Sequence, residues 1–355
     1  MTTATPSISI EKTTNSRLAT LDLENIPFGK IFSDHMLVAT YDQGSWQTAK
    51  IVPYGSLELA PSLSALHYGQ SIFEGMKAYK SPTGKPLLFR PDANYQRLNQ
   101  SAERLCMPPV TKEIFMDGLK QLIQLDADWI PQQDNSVLYI RPVYFAADES
   151  IGLKPSSRYQ FIIITCPVGS YYSEPVRLMV TKKYVRACEG GTGAAKVAGN
   201  YAASLLADKE AKAQGYDNVI WLDAVHHQYI EECGTMNLAF VIDEKVVTPK
   251  LTGTILPGIT RDSVMTLFRD MGITVEERLI KIDEIAEAYQ QGRLKEAFGM
   301  GTAATIAQIS TIHYQGEDMI LPPISDRQYS TAVYQKLEQI KTAQCDDPYG
   351  WVWHL

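Results

Sequence analysis

The chain is poor in the residues that most readily betray a function. Its 355 residues hold five cysteines, Cys106, Cys166, Cys188, Cys233 and Cys345, odd in number and far apart. No C-x-x-C occurs and no cysteine–histidine set has zinc spacing, so neither a disulfide framework nor a metal centre is expected, and a reducing, cytoplasmic setting is the simplest reading. Histidine is scarce too; the adjacent pair His226-His227 lies in a polar stretch between two apolar runs and reads as a hairpin turn, not a ligand pair. Positive charge is in deficit, with 33 Lys+Arg against 40 Asp+Glu and a net charge of -7. That balance argues against nucleic acid or an anionic membrane as the main partner. No apolar run approaches the ~18–20 residues of a membrane helix. The Thr/Ser-rich start has no basic segment followed by an apolar one, so no secretory signal is expected, and the first ~20 residues are expected to be mobile.

What is present is the composition of an ordinary soluble enzyme, 45% hydrophobic and 21% charged, in a chain long enough for two domains. Asp92–Leu105 reads as a helix opening after Arg90-Pro91, since proline suits a first helical turn. Phe115, Leu119 and Leu122 mark a second helical face by their i, i+4, i+7 spacing. Around them "IVPYG", "PLLFR", "SVLYIRPVYFA" and "RYQFIIITCPVG" read as strands by β-branched and aromatic content. "GSYYSEP" has linker character, and a second β-rich unit starts at "VRLMVT". The expected organisation is a smaller N-terminal domain over 1–169, a linker over 170–181 and a larger domain over 182–355. In the latter "NVIWLD", "LAFVID" and "KVVTP" read as strands, with helices expected over Tyr201–Gln214 and Asp262–Met271. Strands and helices mix without strict βαβ alternation, which predicts an α+β (mixed α/β) fold.

One stretch carries a sharper question: "GGTGAAKVAGN", residues 190–200, sets Lys196 as the only charge in a run otherwise of glycines and alanines with one threonine, one valine and one asparagine. A Walker loop needs glycine before the lysine and a hydroxyl after it; here Ala195 and Val197 stand there. A dinucleotide loop needs a third glycine where Lys196 itself sits. With nothing nearby to pair its charge, an ammonium so placed tends to lose its proton. A neutral lysine amine is a nucleophile whose characteristic use is a Schiff base to a carbonyl, as with pyridoxal phosphate. The alternative is a surface lysine on a loop. A phosphate would need converging N–H donors, and two turns offer them: Gly258-Ile259-Thr260 opening a helix, and Gly299-x-Gly301-Thr302. Arg90 could add a bidentate charge. A protonated pyridine nitrogen needs a carboxylate, and Glu231 and Glu232 lie on opposite faces of a strand. The residues alone leave open which of the two is used, or whether both are simply exposed at a strand end.

The blocks "LHYGQSIFEGMKAYK", "LFRPDANYQRL", "LYIRPV", "CPVGSYY", "KVAGNYAASL", "EECGTMN", "ILPGITR" and "FGMGTAA", in that order, resemble the branched-chain amino acid aminotransferases of fold type IV, in the version with a longer N-terminal region. The likeness runs from about residue 26 to the terminal "DPYGWV". It implies two domains with pyridoxal 5'-phosphate at their interface, and a homodimer. It implies that Lys196 is the aldimine lysine, that Glu232 rather than Glu231 partners the pyridine nitrogen, and that Tyr201 bonds the ring oxygen. By the same likeness Arg90, Gly258, Ile259, Thr260 and Thr302 hold the phosphate, and Leu256 packs on the ring. Phe28, Phe73, Tyr139 and Tyr171 match aromatic walls of the substrate pocket, and Thr235 and Ala303 lie near the substrate. Tyr68, Ile151 and Leu153 match residues supplied by the partner subunit or the interdomain loop.

The activity implied is ping-pong transfer of the amino group of leucine, isoleucine or valine to 2-oxoglutarate, the last step of making these amino acids and the first of degrading them. D-amino acid transaminases and aminodeoxychorismate lyases share the lysine and glutamate, and a non-catalytic vitamin B6-binding protein would share the fold. The "EECGTMN" and "FEGMKAYK" blocks favour the branched-chain group, and the joint presence of Lys196, Glu232 and Tyr201 favours an enzyme.

Overall fold

The longest β-branched and aromatic runs of the first half, Val137–Ala146 and Tyr159–Val168, pair antiparallel along their whole length. In the computed structural model, which describes residues 8–21, 26, 28–133, 136–169 and 174–355, these strands are the middle of a ten-stranded sheet. Packing divides the chain into two units. The first comprises the described residues of Met1–Tyr171 together with Ala195–Ala198 and Ile340–Leu355; the second runs over Tyr172–Ala194 and Gly199–Gln339. Residues 170–173, where the linker is expected to begin, lie outside the described residues.

In the first unit the sheet extends from the central pair through Met76–Lys80 and Pro86–Phe89 to Val352–His354 at one edge. The helix Pro91–Arg104 starts with proline at its first turn and ends with Arg104, matching the expected element to a residue at each end. Its buried face reads Asn94, Arg97, Leu98, Ser101, Ala102, an i, i+3, i+4, i+7, i+8 stripe in which three of the five residues are polar. The second helical pattern forms as a π-turn over Glu113–Asp117 running into an α-helix over Gly118–Leu125. Phe115 is fully buried there, with its ring 5.5 Å from that of Tyr95 and 5.9 Å from that of Phe161.

The second unit holds a nine-stranded mixed sheet. Val176–Val180 lies parallel to both Asn218–Leu222 and Thr305–Tyr314, and Asn237–Ile242 antiparallel to both Lys245–Pro249 and Leu294–Gly301. The mixed α+β class expected from the sequence is the one observed. Three local expectations differ. The helix expected over Tyr201–Gln214 forms as Ala198–Ala202 and Leu205–Ala213, because Ser204 Oγ donates to the Tyr201 carbonyl at 2.8 Å and competes with the helical ladder. The helix expected from Asp262 begins at Ile259. Gly299 and Gly301 do not make a turn; they end a strand, paired with Leu238 and Thr305, and the turn follows at 302–304. His226 and His227 do lie in a turn, capped by Asp223, whose carboxylate accepts the N–H groups of Val225, His226, Gln228 and Tyr229. No helix among the described residues is long and apolar enough to cross a membrane.

Truncating Phe115 to alanine removes a fully buried ring from the core of the first unit. A loss of ~3–5 kcal/mol is expected. Denaturant unfolding followed by tryptophan fluorescence measures it, and a loss under ~1 kcal/mol would contradict the packing described.

Candidate active site

In the first unit the backbone around Lys196 is held on both sides. Its N–H donates to Ser101 Oγ at 2.9 Å, and its carbonyl accepts the Phe73 N–H at 3.1 Å. Val197 bridges Ile72, and both Ala195 and Val197 are buried in the first unit's core. Small apolar neighbours on either side of Lys196 are what such burial demands. The residue keeps some exposed surface, but its amine is enclosed. Nζ lies 4.9 Å from the centre of the Phe73 ring, and the Arg141 guanidinium lies 4.6 Å from it. Burial, then the charge of Arg97, lowers the Lys196 amine to about 8, against the opposing pull of Glu74 and Tyr139; Arg141 adds to the lowering. Tyr139 is buried and accepts from Arg141 Nη2 at 2.9 Å, and its ring meets Phe28 edge-on at 5.4 Å. The structure thus brings Lys196, Phe73, Tyr139 and Phe28 together. It adds Arg141, whose buried Nε has no hydrogen-bond partner among the described residues.

Arg90 stands elsewhere in this unit, in the left-handed region (φ +49°) at the head of the helix Pro91–Arg104. Its N–H donates to the Trp351 carbonyl at 2.7 Å, and its guanidinium lies 5.1 Å from the Trp351 ring centre. Tyr68, Ile151 and Leu153 lie on the surface of the unit, with Leu153 89% exposed. Tyr171 lies outside the described residues.

In the second unit the adjacent glutamates are both buried, so neither is an exposed strand end. Glu232 Oε1 accepts the Leu256 N–H at 2.7 Å, and its Oε2 lies 3.0 Å from Arg186 Nε. Arg186 also donates to the carbonyls of Gly193 and Thr254 at 3.2 and 2.9 Å, tying the carboxylate to the glycine-rich turn. At Gly193 a Cβ would lie 2.1 Å from the Thr254 carbonyl oxygen, so close approach of backbone to backbone, not phosphate binding, fixes that glycine. Glu231 sits in a separate environment: Oε1 accepts from Thr254 Oγ1 at 2.5 Å, and Oε2 is buried without a hydrogen-bond partner among the described residues. Burial outweighs these contacts and raises its carboxyl above the usual range.

Gly258 caps the helix Ile259–Asp270, whose first intrahelical donor is Asp262. The N–H groups of Ile259, Thr260 and Arg261 therefore precede the ladder, at the positive end of the helix dipole. A Cβ at Gly258 would fall 1.9 Å from Asn237 Oδ1, and the Asn237 amide donates to the Leu256 carbonyl at 2.9 Å. Tyr201 and Thr235 line a small cavity with Arg186, Asn200, Ser204 and Gly234. Thr302 and Ala303 fall in the turn at 302–304 that follows the strand Leu294–Gly301. Sequence reasoning missed Arg186, Arg141, Arg97 and Glu74; only a charged residue's place on an otherwise buried face would have singled them out.

Solved structures share this architecture. A branched-chain aminotransferase from the archaeon Thermoproteus uzoniensis, crystallised with norvaline, superposes with a TM-score of 0.75 at 27% identity, over 90% of this chain and 99% of that one. The branched-chain amino acid aminotransferase of Escherichia coli gives 0.71 at 30% identity, over 88% and 98%. The fold is thus that of a fold type IV aminotransferase. The amino-transferase class IV family matches residues 71–312. A protein of Staphylococcus epidermidis named probable branched-chain-amino-acid aminotransferase is 46% identical over 336 residues, 93% of either chain, and branched-chain-amino-acid transaminase 1 of Bacillus subtilis is 45% identical over 93% of this chain and 94% of its own. The chain belongs to the class IV aminotransferases, in the branched-chain-amino-acid aminotransferase family, and is a pyridoxal phosphate-dependent transaminase.

The lowered Lys196 amine sets a pH dependence with a definite sign. A lysine amine reacts only when neutral, and with a pKa lowered to about 8 its reactivity rises tenfold per pH unit below that value and levels off above it. Acylation of Lys196 in the cofactor-free protein, read by peptide mass spectrometry over a pH series, is the measurement. A plateau reached only near the ordinary lysine value of ~10.4 would show that the enclosure does not act on the amine.

Proposed function

We propose that the chain transfers the amino group of L-leucine, L-isoleucine or L-valine to 2-oxoglutarate, with Lys196 as the cofactor lysine and proton carrier. The observation that carries the proposal is the enclosed amine of Lys196, lowered to about 8 beside the aromatic pair Phe73 and Tyr139. The residues suit pyridoxal phosphate: a readily neutralised amine, a buried carboxylate held beside an arginine at Glu232, and a helix N-terminus at Ile259 and Thr260. When bound, pyridoxal phosphate supplies an electron sink for the electron pair left at the substrate's α-carbon.

What the chain's own residues do follows from their surroundings. Lys196 Nζ, neutral in about a tenth of molecules at pH 7, takes the α-proton of the substrate and later returns it. Glu232, beside the Arg186 guanidinium and accepting the Leu256 N–H, holds a proton at the pyridine nitrogen. Glu231, its carboxyl raised by burial and bonded to the Thr254 hydroxyl, sits in a separate environment and is not assigned that role. Phe28, Phe73 and Tyr139 form apolar walls against an aliphatic side chain, each methylene adding ~0.8 kcal/mol on burial. Arg141, with its buried unsatisfied Nε, supplies a counter-charge for the second carboxylate of 2-oxoglutarate and glutamate. A structural relative supports both ends of the exchange: another branched-chain amino acid aminotransferase was crystallised with N-(5'-phosphopyridoxyl)-L-glutamate and with 4-methylvaleric acid.

Arg90, Gly258 and Thr302 complete the phosphate contacts, Leu256 packs on the ring, Tyr201 bonds its oxygen, and Thr235 and Ala303 adjoin the substrate. Tyr68, Ile151 and Leu153 complete the pocket in a cytoplasmic homodimer. The reaction proposed is the last step of making the three amino acids and the first of degrading them.

The deciding experiment is turnover of L-leucine, and of D-leucine as a control, with 2-oxoglutarate. Lys196→Ala is expected to lose at least ~10⁴-fold in kcat, the upper range for a positioned base; near-wild-type turnover by this variant would overturn the assignment. The two glutamates give an internal control. Glu232→Gln is expected to slow the chemical step by ~10²–10³-fold, whereas Glu231→Gln, at a carboxyl bonded to a hydroxyl and not to an arginine, changes it less than ~10-fold. Single-turnover kinetics read both, and equal losses would mean that the wrong carboxylate has been chosen.

A further inference from the structure

Glu74 is fully buried in the first unit, just ahead of the strand Met76–Lys80 and away from any solvent that would stabilise its charge. Four N–H donors meet its carboxylate. Arg97 supplies two in a fork, Nε to Oε1 and Nη2 to Oε2, both at 2.8 Å. The Asn94 amide donates at 2.7 Å and the Gly75 N–H at 3.2 Å. Asn94 and Arg97 come from the buried face of the helix Pro91–Arg104, and the next polar residue on that face, Ser101, accepts the Lys196 N–H. One helix face therefore holds both the lysine's backbone and the carboxylate of Glu74, which acts on its amine together with Arg97, Tyr139 and Arg141.

Two cations compete for that carboxylate. A buried carboxylate without a counter-ion is costly, and a nearby lysine amine would supply one by taking up a proton. Arg97 cannot lose its proton and matches a carboxylate two-for-two, so it wins the competition on geometry. Its guanidinium holds Glu74 below the usual carboxylate range in spite of burial, and Lys196 acts on it only as a lesser influence.

We infer that Glu74 and Arg97 are positioning residues for the transamination, with Arg97 occupying Glu74 so that the Lys196 amine is not captured as its counter-ion and stays available as a neutral nucleophile. This deepens the reading of Lys196 given above and rests on it. The pair acts through charge, which separates it from a structural brace: removing either member shifts the amine in opposite directions. Without Arg97, Glu74 draws a proton onto Lys196. Without Glu74, the unbalanced Arg97 charge drives the proton off.

The test is competitive acetylation of Lys196 with acetic anhydride in the full chain stripped of cofactor, read on the Lys196 peptide by mass spectrometry over a pH series. Arg97→Met is expected to raise the midpoint by about one pH unit or more, and Glu74→Gln to lower it by a similar amount. Arg97→Lys, which keeps the charge, leaves it within ~0.5 unit, and Glu74→Gln/Arg97→Met falls between the two single variants. Should Arg97→Met not fold, the double variant still decides, because Glu74→Gln must titrate below it. Midpoints that stay put, or that move in the same direction in both single variants, overturn the inference. Borohydride reduction of the loaded wild-type protein, followed by peptide mapping, tests the underlying reading separately. Cofactor on Lys196 with unmoved midpoints overturns only the inference. Shifted midpoints with cofactor on another residue overturn the assignment of Lys196, and the positioning role with it.

Discussion

The lysine proposed as catalytic has to be buried enough to lose its proton and exposed enough to reach a substrate, and the conflict is resolved in the main chain. Ser101 holds the Lys196 N–H, Phe73 holds its carbonyl, and Ala195 and Val197 sink into the first unit's core on either side. So anchored, the Lys196 side chain has one direction left. The small residues that made this stretch conspicuous are a consequence of that burial, and the low-dielectric wall they form is what disfavours the ammonium.

The electrostatics divide between the two units along similar lines. In each, a buried carboxylate is satisfied by an arginine and by backbone N–H: Glu74 by Arg97 and Gly75, Glu232 by Arg186 and Leu256. Such pairs seldom add stability over apolar packing, so their value lies in fixing charge at a defined place. Glu231 shows what happens without an arginine in contact: a hydroxyl and burial leave the carboxyl raised.

Much of this was legible in the sequence, and the rest was hidden for identifiable reasons. Strands such as Val137–Ala146 and Tyr159–Val168 announce themselves because β-branched and aromatic residues recur along them. Pro91 marks its helix because proline suits only the first turn. The strand Leu294–Gly301 was obscured by glycines that read as a turn but are paired within the sheet, Gly299 on both sides and Gly301 with Thr305, a long-range fact that no local pattern carries. Of the site, an isolated lysine suggested its own chemistry, while the choice between Glu231 and Glu232 needed the resemblance to a family. Arg97 and Arg186 were invisible, since a charged residue in a helix or loop is read as solvent-facing until a tertiary partner turns up. The polar triplet on the buried stripe of Pro91–Arg104 was the one available hint.

Arg90 adopts a left-handed conformation that costs a non-glycine residue about 1–3 kcal/mol unless the surroundings enforce it. What enforces it is the carbonyl of Trp351, next to the strand Val352–His354 that zips onto Pro86–Phe89. On a ribosome, the arginine and its helix emerge long before Trp351 does. The first unit must therefore wait with an open sheet edge, and with the arginine proposed for the phosphate unset, until translation has passed through the whole second unit. Loop closure over such a span is slow and entropically unfavourable. The left-handed setting of Arg90 is thereby postponed to a nearly finished polypeptide, and with it the phosphate contact proposed for this arginine.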